Sequence, residues 1–347
     1  MSFGPRPSAL ISALPSAADV DVADVAPDSI SDVKFSPTAD YLAASSWNGE
    51  VRIYEVASNG NTRPMASYRH DAPALSLTWT RDGSKVISGG ADNVARIFDT
   101  ATGTATPVAT HNAPVKSVRM VETPNGPILA TGSWDQTVKY WDLRQQNQVA
   151  QLQLKGRCYS MDAVYPLLVV GTSELNIEVV NLTNPSKPFL SVISPLKLQT
   201  RVVTCFPKGD GYAVGSIEGR AGIQWIDEKR RSSNYTFRCH RVEDTKTSHS
   251  VYAVNDIAFH PVHGTFLTSG SDGSMSVWDR DAKIRVKAFN ELGGPIAATS
   301  FNRDGSILAY AISYDWSKGY GAMKPDYINK IKLHAVKEDE VKPRPRR

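Results

Sequence analysis

The segments PNGPILATGSWDQTVKYWD (124–142) and HPVHGTFLTSGSDGSMSVWD (260–279) align with each other and decide the fold of this chain of 347 residues. SPTADYLAASSWNGEVRIYE (36–55) and TRDGSKVISGGADNVARIFD (80–99) follow the same pattern. Weaker copies occur at 165–181, 208–227 and 302–316. The ends of the copies recur at intervals of about 45 residues, which is the period of a four-stranded propeller blade. The chain therefore repeats one unit along most of its length.

Each copy has the pattern of β-strands rather than helices. Apolar runs such as TFLTSG and MSVWD are short and are separated by turns such as SDG. The pairs Asn48-Gly49 and Asp272-Gly273 lie between two such runs, where a tight hairpin turn requires positive φ. One copy is too small to bury its own faces, so the copies must stack on one another. We therefore predict an all-β chain with a single domain, a seven-bladed β-propeller over residues 20–336.

The two ends of the chain differ from the repeats. The segment VDVADV (20–25) is rich in β-branched valine, and we predict that it closes the ring as the outermost strand of the last blade. Residues 1–19 as a whole are predicted to form a flexible extension. Residues 337–347 are predicted to form a basic tail, whose end KPRPRR (342–347) we expect to be disordered and to be a candidate localisation signal or RNA contact.

Composition and motifs exclude several classes of function. The chain has 39 Lys and Arg against 35 Asp and Glu, a balance too even to predict nucleic-acid binding by itself. It has no apolar run long enough to span a membrane. Its cysteines, Cys158, Cys205 and Cys239, are too widely spaced for a disulfide framework or a zinc site, so we predict free thiols and neither metal nor cofactor.

The sequence also argues against catalysis. The GxSxG, HExxH, GxxxxGK[ST] and GxGxxG motifs are absent, and the glycines of GDGYAVG (209–215) fit a turn within a repeat. His, Ser or Thr, and Asp do recur within the units, as a hydrolase triad would require. Their spacing follows the repeat, however, which favours a structural role. We therefore predict a binding protein and not an enzyme.

The endings GSWDQTVKYWD (132–142) and GSDGSMSVWD (270–279) resemble WD-repeat proteins. In such blades a His, a Ser or Thr, an Asp and a Trp are joined by hydrogen bonds. The resemblance assigns this structural network in the third blade to His111, Thr131, Asp135 and Trp141. The second blade offers His70, Ser88 and Asp92, with Phe98 in place of Trp. The other blades retain only fragments, so the sequence predicts no complete network for them.

Several segments resemble a narrower group within the WD-repeat proteins. SWNGEVRIYE (46–55), SIEGRAGIQWI (216–226), YTFRCHR (235–241) and FNRDGSILAYAISYDWSKG (301–319) look like the messenger-RNA export factor of the nuclear pore. The spindle-checkpoint WD-repeat protein shares several of these features. Both families bind a peptide called the GLEBS motif, which belongs to a GLFG-repeat nucleoporin in the first family and to checkpoint kinases in the second.

The resemblance implies a nuclear, pore-associated adaptor that captures the nucleoporin GLEBS motif and works with mRNA and the export machinery. Two alternatives stay open from the sequence. One is a checkpoint adaptor that binds kinases, and the other is a protein that primarily binds single-stranded RNA.

The candidate partner-binding residues lie where the repeat predicts one common face. The turn between the second and third strands of a blade shares its face with the connection to the next blade. The insertion VEDTKTSHSVYA (242–253) belongs to such a connection. Trp and Arg dominate the energetics of protein interfaces, and Arg can grip a carboxylate with two hydrogen bonds. The predicted peptide-binding residues are Trp47, Trp134, Arg220, Arg241 and Asp272.

A second, basic group of residues precedes the insertion. The pattern at 229–231 favours a solvated turn over a weak contact with RNA phosphates, which stays open as an alternative. The candidate RNA contacts are Lys229, Arg230, Arg231 and Arg238.

Overall fold

The computed structural model describes residues 19–145, 147–245, 248–324 and 326–344. These residues form seven four-stranded antiparallel sheets and one two-stranded sheet. In six of the seven blades, each strand pairs with the next one along the chain. The prediction of an all-β, seven-bladed propeller is confirmed.

The four strands of each blade are ordered from the central channel to the outer surface. The innermost strands are Ile30–Phe35, Ala74–Trp79, Val115–Thr123, Cys158–Val164, Thr200–Cys205, Val254–Phe259 and Ile296–Phe301. The second strands are Tyr41–Ser46, Lys85–Gly90, Gly126–Ser133, Leu167–Thr172, Gly211–Ser216, Phe266–Gly270 and Ile307–Ile312. The third strands are Glu50–Val56, Val94–Asp99, Thr137–Asp142, Asn176–Asn181, Arg220–Trp225, Met275–Asp279 and Lys330–Ala335. The outermost strands are Thr62–Arg69, Thr104–Thr110, Asn147–Gln153, Leu190–Ile193, Tyr235–Arg238, Ile284–Phe289 and, for blade 7, Val20–Asp21.

The hydrophobic core lies between neighbouring blades rather than within them. One buried cluster joins Val138 and Tyr140 of blade 3 to Met161 and Leu168 of blade 4. Burying a large apolar side chain stabilises a fold by about 1.5–3 kcal/mol, so each blade depends on its neighbours. Polar groups also join the blades: Asp32 Oδ2 of blade 1 accepts a hydrogen bond from the Leu77 amide of blade 2 at 2.9 Å.

The predicted hairpin turns form, but only one residue of each pair takes positive φ. Gly49 has φ of 87° and Gly273 has φ of 73°, whereas Asn48 and Asp272 keep negative φ. A Cβ atom on Gly49 would lie 2.7 Å from the His70 carbonyl oxygen, so this position favours glycine for space as well as conformation.

The ring closes through the N-terminal segment, over a shorter strand than the predicted 20–25. Val20 and Asp21 pair with Leu333 and Lys332 of the last blade. The Val22 amide adds a bond to the Ile331 carbonyl at 2.8 Å. The strand then ends because the chain turns at Asp24, whose φ is 50°.

Beyond Asp21 the chain crosses from blade 7 to blade 1. Arg52 of blade 1 donates to the Asp24 carbonyl at 2.6 Å and forms an ion pair with the Asp24 carboxylate at 2.8 Å. Val22 and Ala26 are buried in a cluster that contains residues of both blades. The predicted extension 1–19 lies outside the described residues except for Asp19.

The C-terminal segment packs against the propeller within the predicted basic tail 337–347. A short helix, Glu338–Val341, buries Glu340 and Val341. His334 lies between the two ends of the chain, 2.7 Å from Asp19 Oδ1 and 2.9 Å from Glu340 Oε2. The Arg344 guanidinium donates to the Val286 carbonyl at 3.0 Å. The predicted tail thus begins with a helix that is anchored by the bond between Glu340 and the half-buried His334, a contact that its charge pattern did not indicate. Residues 345–347 lie outside the described part of the chain.

Two shorter elements and three cysteines complete the description. The 3₁₀ helices are Glu228–Ser233 and Tyr320–Ala322. Cys158, Cys205 and Cys239 are free and buried, and burial raises the pKa of each thiol, to about 12 for Cys158 and Cys239. Among the described residues, no helix combines the length and the apolar character needed to cross a bilayer.

Candidate functional site

Every innermost strand contains a β-bulge at the same place, close to its first residue. The register with the second strand shifts there in all seven blades, so one residue in each blade has no partner across the sheet. A bulge redirects a side chain and often occurs beside functional sites. The bulged residues are Ser31, Leu75, Lys116, Tyr159, Arg201, Asn255 and Ala297.

All seven bulged residues line one cavity of about 320 Å³, which we call the channel mouth. The channel mouth lies on the upper face, defined as the face that carries the turns between second and third strands. Trp47 and Trp134, two of the predicted peptide-binding residues, line it as well. Trp47 is half-buried because its ring stacks on Trp316 of blade 7, with centroids 4.2 Å apart. Trp134 is 37% exposed.

Arg220 and Arg241 lie together on the rim of blade 5, outside the lining of the channel mouth. Arg241 Nη2 donates to the Glu218 carbonyl at 2.9 Å, and Nε donates to the Gly219 carbonyl at 3.4 Å. Arg220 Nε is 3.9 Å from the Glu218 carboxylate. Arg241 is therefore held against the turn of blade 5. Among the described residues, no carboxylate lies within ion-pair distance of its guanidinium.

The predicted insertion forms the two-stranded sheet beside this rim. Its strands are Arg241–Thr245 and Ser248–Val251, and Arg241 pairs with Val251 at the base. Val242 and Val251 are exposed, at 48% and 42%. The hairpin therefore carries apolar surface next to Arg241 on the upper face.

The four predicted network residues of blade 3 are joined in one chain of hydrogen bonds. Trp141 Nε1 donates to Thr131 Oγ1 at 2.9 Å, His111 Nε2 is 2.7 Å from the same oxygen, and His111 Nδ1 is 2.9 Å from Asp135 Oδ2. Burial lowers the pKa of His111, so the ring is neutral near pH 7. Because Asp135 can only accept, Nδ1 carries the proton and Thr131 donates to Nε2.

Blade 6 contains an equivalent network that the sequence analysis missed. His240 Nδ1 is 2.9 Å from Asp272, His240 Nε2 is 2.9 Å from Thr268, and Trp278 donates to Thr268 at 3.0 Å. His240 precedes its threonine by 28 residues instead of the 20 in blade 3, because the hairpin insertion separates them. The sequence does contain the signal, the His of YTFRCHR, but the insertion after it changes the usual spacing to the threonine.

This network gives Asp272, one of the predicted peptide-binding residues, a role inside the blade. Its Oδ1 bonds to His240, and its Oδ2 accepts from the Ser274 hydroxyl at 2.8 Å. Although burial opposes it, the bond to His240 holds the pKa of Asp272 below its usual value. The carboxylate is bonded inside the blade, and its contact with a partner stays a prediction.

In blade 2 the residues form a Ser–His–Asp arrangement that is sealed from solvent. His70 lies 2.7 Å from Ser88 Oγ and 3.0 Å from Asp92 Oδ1, and Tyr68 donates to Ser88 at 2.8 Å. Ser88 is fully buried, so no substrate carbonyl can approach its hydroxyl. Phe98 stands where blade 3 has Trp141, and its ring stacks on Tyr68, which supplies the hydrogen bond to Ser88.

The four candidate RNA contacts do not form one patch. Arg238 pairs with Arg220 at the upper end of blade 5, whereas 229–231 follow the lower end of the third strand. Arg230 stacks on Trp225 at 3.3 Å and pairs with Asp210 at 3.1 Å. Arg231 lies 3.6 Å from Glu228.

Four cations of the described innermost strands face the central channel, and they divide into two pairs. Deeper in the channel, Lys34 lies 3.3 Å from Asp32 and Arg119 lies 2.8 Å from Asp162. Burial opposes the charge of both, but these carboxylates outweigh it and raise both pKa values. At the channel mouth, by contrast, burial lowers the pKa of Lys116 and of Arg201. Lys116 and Arg201 were not predicted from the sequence, because the position of a bulge depends on the register between two strands. The described residues contain no cluster of three metal-ligating side chains.

Comparison with known proteins gives consistent matches. The family model described as WD domain, G-beta repeat matches residues 25–55, 62–99, 105–142 and 233–279. The Poly(A)+ RNA export protein of Schizosaccharomyces pombe is 55% identical over 330 residues, covering 95% of this chain and 94% of the relative. The mRNA export factor GLE2 of Chaetomium thermophilum is 47% identical over 94% of this chain and 93% of its own length. The mRNA export factor of Xenopus tropicalis is 44% identical over 94% and 91%.

Proposed function

This chain belongs to the family of WD-repeat mRNA export factors, and on that premise we propose that it is a non-enzymatic adaptor in mRNA export. It acts at the nuclear pore by capturing the GLEBS motif of a GLFG-repeat nucleoporin on its upper face. The relatives are named for RNA or mRNA export, which supports the process. The peptide and the location come from the sequence resemblance and the chemistry of the upper face.

One observation supports the upper face as the capture surface. Trp47, Trp134 and Arg241 are predicted peptide-binding residues whose side chains keep exposed or incompletely bonded groups there, and so is Arg220. Two of these side chains are already positioned by contacts, since Trp47 stacks on Trp316 and Arg241 bonds to the turn at Glu218. Rigid aromatic and arginine anchors lose little entropy on binding, which favours capture of an extended acidic peptide.

In the proposed mechanism, two parts of the upper face bind different groups of the peptide. The channel mouth offers aromatic surface to apolar peptide residues, while the rim of blade 5 offers Arg241 and Arg220 to carboxylates. The hairpin Arg241–Thr245 and Ser248–Val251 stands beside the rim and can lie along the peptide. No step requires catalysis.

The test is affinity purification of the tagged full-length chain from nuclear extract, followed by mass spectrometry. We expect a GLFG-repeat nucleoporin as the main partner, and we expect Trp47→Ala and Arg241→Ala each to reduce its recovery. Lys208→Met, an exposed charge change in a turn of the opposite face, is the control. Recovery of checkpoint kinases instead of the nucleoporin would support the checkpoint alternative.

A direct RNA contact by Lys229 and Arg231 is a separate element of the proposal. Arg230 contributes less because Trp225 and Asp210 already hold it. Affinity for single-stranded RNA, measured against salt, decides the point: phosphate contacts give a steep slope that Lys229→Ala should reduce. A slope unchanged by this variant would remove RNA contact from this turn.

A further inference from the structure

We propose that the channel mouth is a carboxylate-binding site, in which Lys116 and Arg201 receive one acidic side chain of the bound partner peptide. The inference rests on the proposed peptide capture and names a site that lies apart from Arg220 and Arg241. It follows from a contrast between the two ends of one channel.

The cations deeper in the channel have carboxylate partners, and those at the channel mouth do not. Lys34 and Arg119 each form an ion pair within 3.3 Å. Among the described residues, neither Lys116 nor Arg201 has a carboxylate within ion-pair distance. Arg201 donates only to the backbone carbonyl of Asp315. The bulges that turn both side chains into the same cavity therefore bring two incompletely neutralised cations together.

The remaining charge of the cavity matches one carboxylate. Lys116, Arg201 and Asp315 are the charged residues that line it, so one positive charge is in excess. Asp315 is held in place by neutral donors. Its Oδ2 accepts from Asn255 at 2.8 Å and from the Ser271 hydroxyl, and its Oδ1 accepts from the Ser317 amide at 3.1 Å. A monoanion neutralises the excess, whereas a dianion would reverse it.

Unsatisfied donors at the same place favour an acceptor with several lone pairs. Trp316 and Thr200 both line the cavity, and Trp316 Nε1 and Thr200 Oγ1 are buried atoms without a hydrogen-bond partner among the described residues. A carboxylate has about four acceptor sites and can serve a cation and a neutral donor together. Burial also lowers the pKa of Lys116; the charge of Asp32 opposes this shift, and repulsion from Arg201 adds to it.

The occupant is a Glu or Asp side chain of the captured peptide rather than a free ion. Trp47 and Trp134 form part of the same lining, so a peptide that contacts these rings passes over the two cations. The cavity volume of about 320 Å³ is sufficient for one side chain.

The test is a double-mutant cycle between protein and peptide. A synthetic GLEBS peptide and variants with each Glu or Asp changed in turn to Gln or Asn are titrated by calorimetry into wild type and Lys116→Met. We expect one acidic position whose neutralisation weakens binding to wild type about tenfold or more, and Lys116→Met much less. Arg201→Met is the second variant, and Lys208→Met controls for net charge.

A stability measurement distinguishes a binding role from a structural one. Removing a half-buried cation without an ion pair should leave the unfolding temperature of the free protein unchanged or higher, so Lys116→Met loses affinity without losing stability. Lys34→Met should instead be destabilised, because it leaves Asp32 without its partner.

Equal losses for every peptide variant in wild type and in Lys116→Met would overturn the inference and leave the proposed function intact. No binding of the peptide to wild type would overturn both.

Discussion

His240 and Arg241 are adjacent in the sequence and belong to two regions with opposite properties. His240 is buried in the network of blade 6, with Asp272 on one ring nitrogen and Thr268 on the other. Arg241 begins the hairpin on the upper rim, where it bonds only to backbone carbonyls of the blade 5 turn. Polar groups that are fully bonded inside a blade contribute to stability, whereas polar groups left incompletely bonded on a rim retain the capacity to bind.

The same division separates other pairs of residues. Asp272 and Trp134 both lie in turns between second and third strands, but one is inside a network and the other is exposed. Within the channel, Lys34 is paired and Lys116 is not. Variants of the first member of each pair should therefore change stability, and variants of the second should change affinity.

The largest effect on stability is expected at the closing seam of the ring. Removing residues 1–26 deletes the strand Val20–Asp21 and the buried Val22 and Ala26, while removing residues 1–18 leaves them in place. The longer deletion should unfold several degrees lower than the shorter one, measured by thermal denaturation. Equal midpoints for the two truncated proteins would show that the seam does not hold the ring closed.

The clasp between the two termini should give a pH-dependent stability. Burial opposes the charge of His334, but Asp19 and Glu340 outweigh it and raise its pKa from 6.5 to about 9. Because the folded pKa is raised, the contribution is fully present below about pH 6.5 and is lost as pH rises through 9. We expect a loss on the order of 2 kcal/mol across that window, measured by denaturant unfolding. His334→Gln should lack this dependence, and an identical pH profile in the variant would contradict the assignment.

Inside blade 3, His111→Ala removes the centre of a buried network. It removes one hydrogen bond from Asp135 and one from Thr131 inside the blade, and we expect the free energy of unfolding to fall by about 1–3 kcal/mol. Peptide affinity, measured on the folded fraction, should stay close to wild type. A large affinity loss with unchanged stability would make His111 a contact residue and break the division between interior and rim.

The repeat predicted the blades because its period and turn residues are local properties of the chain. The network of blade 3 follows the same spacing, and so it was visible in the sequence. The network of blade 6 was missed because an insertion changed the spacing between His240 and Thr268.

The channel mouth could not be predicted for a different reason. Lys116 and Arg201 become neighbours only through the strand register and the closure of the ring. Trp316 belongs to the segment 301–319 that carries the resemblance, but its stack on Trp47 joins blades 7 and 1 and depends on ring closure as well. The helix Glu338–Val341 could not be predicted because its burial depends on the contact between Glu340 and His334.

The central claim is that the incompletely bonded residues of the upper face capture an acidic GLEBS peptide. The most direct measurement is calorimetric titration of that peptide into wild type, Trp47→Ala, Arg241→Ala and the control Lys208→Met, each checked for an unchanged unfolding temperature. We predict that Trp47→Ala and Arg241→Ala each lose roughly 2 kcal/mol of binding free energy, about thirtyfold in affinity, while Lys208→Met binds like wild type. Wild-type affinity in both Trp47→Ala and Arg241→Ala would contradict the account and place the peptide elsewhere on the propeller.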